Sequence, residues 1–312
     1  MFFVFWLQRF GSGVFGKAFG PAMFCWFSFL GLVGIMNFGQ DLSVIRALNP
    51  IYAVRLLFNP ENRLGILILG NIFLATTGAE ALYSDMGHVG KRNIHLSWPY
   101  VKICLILNYL GQAAWLNRAI DSGEYTEVEN LNPFFMILPE SWLIFGVFFA
   151  TIAAIIASQA LLSGSFTLVS EAIKLHFLPR LKLVYPGTSI GQVYIPTVNF
   201  ILWIVCSLIV ITFRTSSHME AAYGLSITVT MLMTTFLLYF YLIQSKRSKV
   251  LAIVITSFFA VIETIFFISS AAKFFHGGFV AVIMALMILF LMSVWQWGNV
   301  IEERESVEVD LK

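Results

Sequence analysis

Eight separate stretches of this chain are apolar over a length that crosses a bilayer, and this constrains the fold more than any motif. They lie at about 19–37, 64–84, 96–116, 141–170, 194–213, 219–243, 250–270 and 275–298. A hydrocarbon core of about 30 Å takes about 20 helical residues at 1.5 Å each. Lipid offers no hydrogen bonds to the backbone, so stretches of this length have to satisfy their own peptide groups as helices. Composition agrees. Of 312 residues, 59% are hydrophobic and 12% charged, against about 25% charged in a soluble domain. The expected class is an all-α polytopic membrane protein with about eight transmembrane helices in a lipid bilayer. A net charge of +2 gives no reason to expect nucleic acid as a partner.

Lys and Arg in alternate loops set the orientation. Arg9, Lys17, Lys91, Arg92, Lys174, Arg180, Lys182, Lys246, Arg247, Lys249, Arg304 and Lys312 fall on one side. Arg46, Arg55, Arg63, Arg118, Arg214 and Lys273 fall on the other. The richer set is expected inside, which puts the acidic loop at 121–130 outside and the C-terminus in the cytoplasm. The stretch 38–63, broken by Pro50 and Pro60, reads as an outer loop with one short interfacial helix. Residues 1–298 read as the transmembrane region and 299–312 as a short solvated tail without a fold of its own. The opening MFFVFWL reads as the end of a membrane helix; it lacks the basic n-region and cleavage site of a signal peptide. Cys25, Cys104 and Cys206 are far apart in apolar runs and read as packed or lipid-facing residues.

One carboxylate stands out. Glu80 follows Thr76, Thr77, Gly78 and Ala79 inside the stretch 64–84. A charge at the bilayer centre costs on the order of 3 kcal/mol on insertion scales. Two β-branched threonines and a glycine lower helix propensity here. A helix that breaks at this point frees carbonyls that need a partner. Carbonyl, hydroxyl and carboxylate oxygens suit a hard alkali cation. Thr77 and Glu80 are spaced i, i+3 and can share a helix face. The alternative is a structural Glu80, protonated or bonded to a neighbouring helix.

The stretch FLATTGAEALYSDMGHVGKRNIHLSW resembles the signature of the Kup/HAK/KT family of potassium-uptake permeases. QRFGSGVFGKAFGPAMFCWF, ALNPIYA, LNYLGQAAWL, NPFFMILPESW, IASQALLSGSFTL, GQVYIPTVN, AYGLSITVTML and KFFHGGF agree with it in order, from about residue 8 to about 298. The resemblance implies a leucine-transporter-like inverted-repeat fold of the APC superfamily, present in part. It implies inward potassium transport across the plasma (inner) membrane, in bacteria together with protons, and no cofactor. On that analogy 64–84 is the discontinuous sixth helix. Thr76, Thr77 and Glu80 then belong to the ion path, and a desolvated Glu80 could also carry the proton. The family's GDIGTSPLY-like stretch, whose Asp and Tyr supply the other half of the site, has no counterpart in the sequence. The resemblance thus implies a chain that starts near the end of the fourth helix, without the family's large C-terminal soluble region. A homodimer or a separate N-terminal half is the expected partner.

Other polar residues are weaker candidates. Asp85 is read as a helix-end contact or a cytoplasmic gate, and Gln159 as a packing residue or part of a pathway. Glu263 is read as a structural hydrogen bond, Glu171 as solvated, and Asn199, Thr228 and Thr230 as bridges between helices. An enzyme is disfavoured, because GxSxG, HExxH and phosphate-cradling glycine loops are missing from the sequence. A non-transporting remnant or one part of a split transporter is the alternative. An amino-acid permease of the same fold is less favoured, because it would want a neutral unwound segment where Glu80 stands.

Overall fold

The computed structural model describes residues 2–10, 16–59, 65, 68–76, 91–123, 132–185, 193–245 and 248–305. Among these the chain is helical, with one isolated antiparallel bridge between Val184 and Tyr194. The helices are α1 (Phe2–Leu7), α2 (Gly16–Phe38), α3 (Pro50–Phe58), α4 (Leu69–Thr76), α5 (Lys91–Asp121) and α6 (Pro133–Met136), then α7 (Glu140–Lys174), α8 (Pro196–Phe213), α9 (Ser216–Gln244), α10 (Lys249–Ala271) and α11 (Gly278–Glu305). Short 3₁₀ turns occupy Gln8–Phe10, Leu42–Leu48 and Phe274–His276.

Six described helices are long and apolar enough to cross a membrane: α2 from Ala18, then α7, α8, α9, α10 and α11. Of the eight expected spans, six are therefore met. The stretch 96–116 lies within α5, which has the length but not the apolarity, because Lys102, Asn108 and Gln112 interrupt it. The stretch 64–84 is described only at Gly65 and over 68–76. Large apolar side chains on the spans face outward: Ile144 is 79% exposed and Phe290 72%. Such a surface is stable in lipid and not in water.

Starts and stops follow local chemistry. Pro50, Pro133 and Pro196 each open a helix, where a missing N–H costs nothing. The Asn49 side chain accepts from the Ile51 N–H at 3.1 Å. Glu140 and Lys174 sit in the first and last turns of α7, each at the favourable pole of the helix dipole. Two details differ from the sequence reading. The outer loop holds a 3₁₀ turn as well as α3. The last helix also continues through the start of the tail to Glu305, because QWGNVIEERE carries no breaker beyond Gly298.

The chain divides into two compact units. One comprises Met1–Arg55, Glu80–Thr167 and Leu183–Asn199, the other Leu56–Ala79, Leu168–Lys182 and Phe200–Lys312. In the first, α2 and α5 cross backbone to backbone. A Cβ added at Gly34 would lie 2.4 Å from the Leu107 carbonyl, and one at Gly111 would lie 2.6 Å from the Gly34 carbonyl. Gly31 faces Cys104, and Phe24 stacks on Tyr100 at 5.2 Å. Residue numbers rise together along this contact, so the two helices run parallel. In the second unit, α9 and α10 form an antiparallel hairpin that also holds α4.

Candidate functional site

The part of the candidate ion-path segment that the structure describes is α4, which leads into Thr76. It is gripped along its length. The Gly70 N–H donates to Ser269 Oγ at 2.9 Å. A Cβ at Gly70 would come within 2.5 Å of that oxygen, so glycine is what allows the approach. Lys273 Nζ donates to the Asn71 side chain. Phe73 stacks on Phe266 with centroids 5.0 Å apart. On α9, Gly224 leaves room for Leu74, whose Cδ2 would be 3.3 Å from an added Cβ. As α4 advances from Gly70 to Phe73, its α10 partners step back from Ser269 to Phe266, so the two helices are antiparallel. Lys273 and Asn71 meet at one end of this pair.

α4 is described as far as the Thr76 backbone, whose side chain lies outside the described residues, as do Thr77, Glu80 and Asp85. Gln159 is described and belongs to the other unit. It is buried in α7, its Oε1 accepts from Gln8 Nε2 at 2.5 Å, and its Nε2 donates to the Val4 carbonyl at 3.3 Å. Asn199 Nδ2 donates to the Phe5 carbonyl at 3.1 Å. Gln159 and Asn199 thereby satisfy carbonyls near the end of α1 that lipid would leave unpaired.

Glu263 is buried between α9 and α10. Thr235 Oγ1 donates to its Oε1 at 2.8 Å, while Oε2 has no bonding partner among the described residues. The expected structural hydrogen bond is present. Buried polar side chains continue the same seam at heptad spacing: Thr228 and Thr235 on α9, and Thr256, Glu263 and Ser270 on α10. Thr228 and Thr230 correct the sequence reading. Both hydroxyls bond carbonyls of their own helix rather than a neighbour, because a threonine on a helix reaches its i−4 carbonyl without help. Glu171 is exposed and pairs with Lys174 at 2.7 Å. Cys104 is buried and Cys25 exposed, and all three cysteines are free. No group of three metal-binding side chains occurs among the described residues.

Sequence reasoning missed the grip on α4. The available signal was the pairing of small residues: Gly70 and Gly224 on one side, Ser269 and Ser270 on the other.

These features define a polytopic integral membrane protein with polar seams between its helices. Comparison with known proteins narrows the class. The chain belongs to the potassium transporter family, since the family model described as "K+ potassium transporter integral membrane domain" matches residues 1–300. It is 65% identical over 309 residues to the "Probable potassium transport system protein Kup" of Enterococcus faecalis, covering 99% of this chain and 46% of that one. Proteins of the same description from Lacticaseibacillus casei and Clostridium perfringens are 57% identical over 309 residues and 56% over 300. They cover 99% and 96% of this chain, and 45% and 46% of their own lengths. The chain thus spans about half the length of the curated relatives it matches. No solved structure matches it. Membership places the chain among membrane transporters rather than enzymes.

Proposed function

We propose that this chain forms the ion-path half of a potassium uptake permease, with Thr76, Thr77 and Glu80 on a discontinuous helix that meets the transported ion. The match of residues 1–300 to a potassium transporter membrane domain carries this reading. In it, potassium enters across the plasma membrane together with a proton, and Glu80 is the proton carrier, an ion ligand or both. Residues 1–298 act as part of an inverted-repeat, leucine-transporter-like core, and 299–312 form a cytoplasmic tail whose start continues α11. Asp85 serves at the cytoplasmic end of the path. Gln159 supports it by holding α1 and α7 together. The other half of the ion site comes from a partner: a second copy or a separate N-terminal segment of the kind the family resemblance implies.

Two observations support the topology of this reading. α2 and α5 run parallel and cross backbone to backbone, so the chain between them begins and ends at opposite ends of the pair. α4 packs one face against α9 and α10, with Gly70 and Phe73 buried, as a half-helix of an ion path requires.

Binding tests the proposal. The purified chain should melt at a higher temperature in potassium chloride than in choline chloride of equal ionic strength, and Glu80→Gln should remove the difference. A melting curve that ignores potassium, both alone and with the N-terminal half of a relative added, would contradict it.

A further inference from the structure

We infer that Glu263 on α10 is a proton-binding site of this chain: a carboxyl held as the neutral acid between α9 and α10, able to take up and release its proton. Its place in uptake rests on the reading of 64–84 as the ion path. The binding of the proton rests on contacts within the second unit alone. Glu263 is 7% exposed. Thr235 Oγ1 donates to its Oε1 at 2.8 Å, and Oε2 is buried with no partner among the described residues. An ionised carboxylate offers about four acceptor sites, and one hydroxyl answers them here. A buried charge also needs a counter-charge, and the surrounding helices bring none. Along α10 the nearest charged residues are Lys249 at its start and Lys273 just past its end, about 21 and 15 Å from Glu263 at 1.5 Å per residue. On α9 the titratable residue nearest Thr235 is Tyr239, and the nearest charged one is Glu220. α4 carries no titratable residue among Leu69–Thr76. The sequence from 77 to 90, TGAEALYSDMGHVG, has no Lys or Arg; its titratable residues, Glu80, Tyr83, Asp85 and His88, lie outside the described residues. A proton removes both costs. It neutralises the carboxyl and leaves Oε1 to accept from Thr235.

The register of α4 gives this acid its place. α4 and α10 are antiparallel, with Gly70 at Ser269 and Phe73 at Phe266. One more step of three residues brings the Thr76 backbone level with Glu263. The acid therefore stands beside the helix that leads into the candidate ion path.

Infrared spectroscopy of the purified full chain tests this. The parent should show the C=O stretch of a neutral carboxylic acid, moved to lower frequency in heavy water. Glu263→Gln keeps an acceptor for Thr235 and should lose that band. Thr235→Val removes the donor and leaves the acid, so it should shift the same band; it covers the case in which Glu263→Gln does not fold. Glu80→Gln should leave the band in place, which separates this acid from the one in the candidate ion path. Raising the pH should bleach the band reversibly while helix content, read by circular dichroism, stays unchanged. Folded variants at Glu263 and Thr235 that leave every acid band in place would overturn the inference, since Glu263 would then be ionised. A band that persists at high pH until the protein unfolds would overturn it too, since a proton that never leaves is only part of the fold. None of these readings uses potassium. A melting curve that ignores potassium would sink the ion-path reading alone, and the infrared bands would still decide Glu263.

Discussion

The crossing of α2 and α5 makes a sharp prediction about one methyl group. In Gly34→Ala the new Cβ would sit 2.4 Å from the Leu107 carbonyl carbon and oxygen and 2.5 Å from the Asn108 nitrogen. Comfortable carbon contacts are about 3.5–4 Å. The atoms in the way are backbone and cannot rotate aside, so the helices have to move apart by about 1 Å along the whole contact. Overpacking costs typically 1–3 kcal/mol, and an obstacle made of backbone puts this case at the upper end, about 3 kcal/mol. Gly20 lies in the same helix, and an added Cβ there meets nothing within 4 Å. Alanine at that position gains helix propensity but precedes Pro21, which disfavours a Cβ in helical conformation, so its effect should be small beside that of Gly34→Ala. The same chemical change in one helix should therefore have very different costs. Unfolding of the purified protein in mixed micelles, titrated with denaturing detergent, reads both. Gly34→Ala within about 0.5 kcal/mol of the parent would refute the parallel, backbone-to-backbone packing.

Three further predictions rest on other contacts. Thr235→Val should lower the melting temperature more than Thr235→Ser, because it strips the described bonding partner from a buried carboxyl oxygen, at a cost of about 1–3 kcal/mol; equal effects would remove the hydrogen bond to Glu263 from the account. Gly277→Ala should break the turn between α10 and α11, since φ there is +136° and a Cβ would meet the His218 carbonyl at 2.4 Å; limited proteolysis at that turn should rise sharply. Asp41, just outside α2, has its carboxyl held below the ordinary range by Ser43's hydroxyl and then its backbone N–H. Its folded value is depressed, so this contact stabilises the turn above the ordinary carboxylate range and is lost as pH falls through the depressed value. An NMR titration should show the low midpoint, and Ser43→Ala should raise it.

Much of this architecture was legible in the sequence, for physical reasons. Lipid forces each long apolar run to be a helix, so α2, α7, α8, α9, α10 and α11 could be placed from hydropathy alone. Pro50, Pro133 and Pro196 each open a helix, α3, α6 and α8, because a proline in the first turn loses no hydrogen bond. The span expected at 96–116 lies within α5 but falls short in apolarity: Lys102, Asn108 and Gln112 dilute a helix whose packing rests on Gly31, Gly34 and Gly111. The candidate site was legible through Glu80, because a carboxylate in an apolar run demands an explanation. The support of α4 was not. Ser269 and Gly70 are far apart in the chain, and small residues in membrane helices are too common to pair by inspection. Thr228 and Thr230 were misread for the opposite reason. A hydroxyl on a helix has a local acceptor at i−4, and sequence does not reveal whether it uses that or a neighbour. Gln159 could be read either as a packing residue or as part of a pathway, and its bonds to Gln8 and Val4 show the packing role at work.

The most direct test of the central claim is potassium uptake in cells that lack their own high-affinity uptake. The cells would express this chain, alone or with the N-terminal half of a relative, and with Glu80 either intact or changed to Gln. The account predicts uptake in at least one of the intact combinations and its loss on Glu80→Gln with membrane abundance unchanged. Uptake that survives Glu80→Gln, or no uptake from either combination while both insert normally, would contradict it.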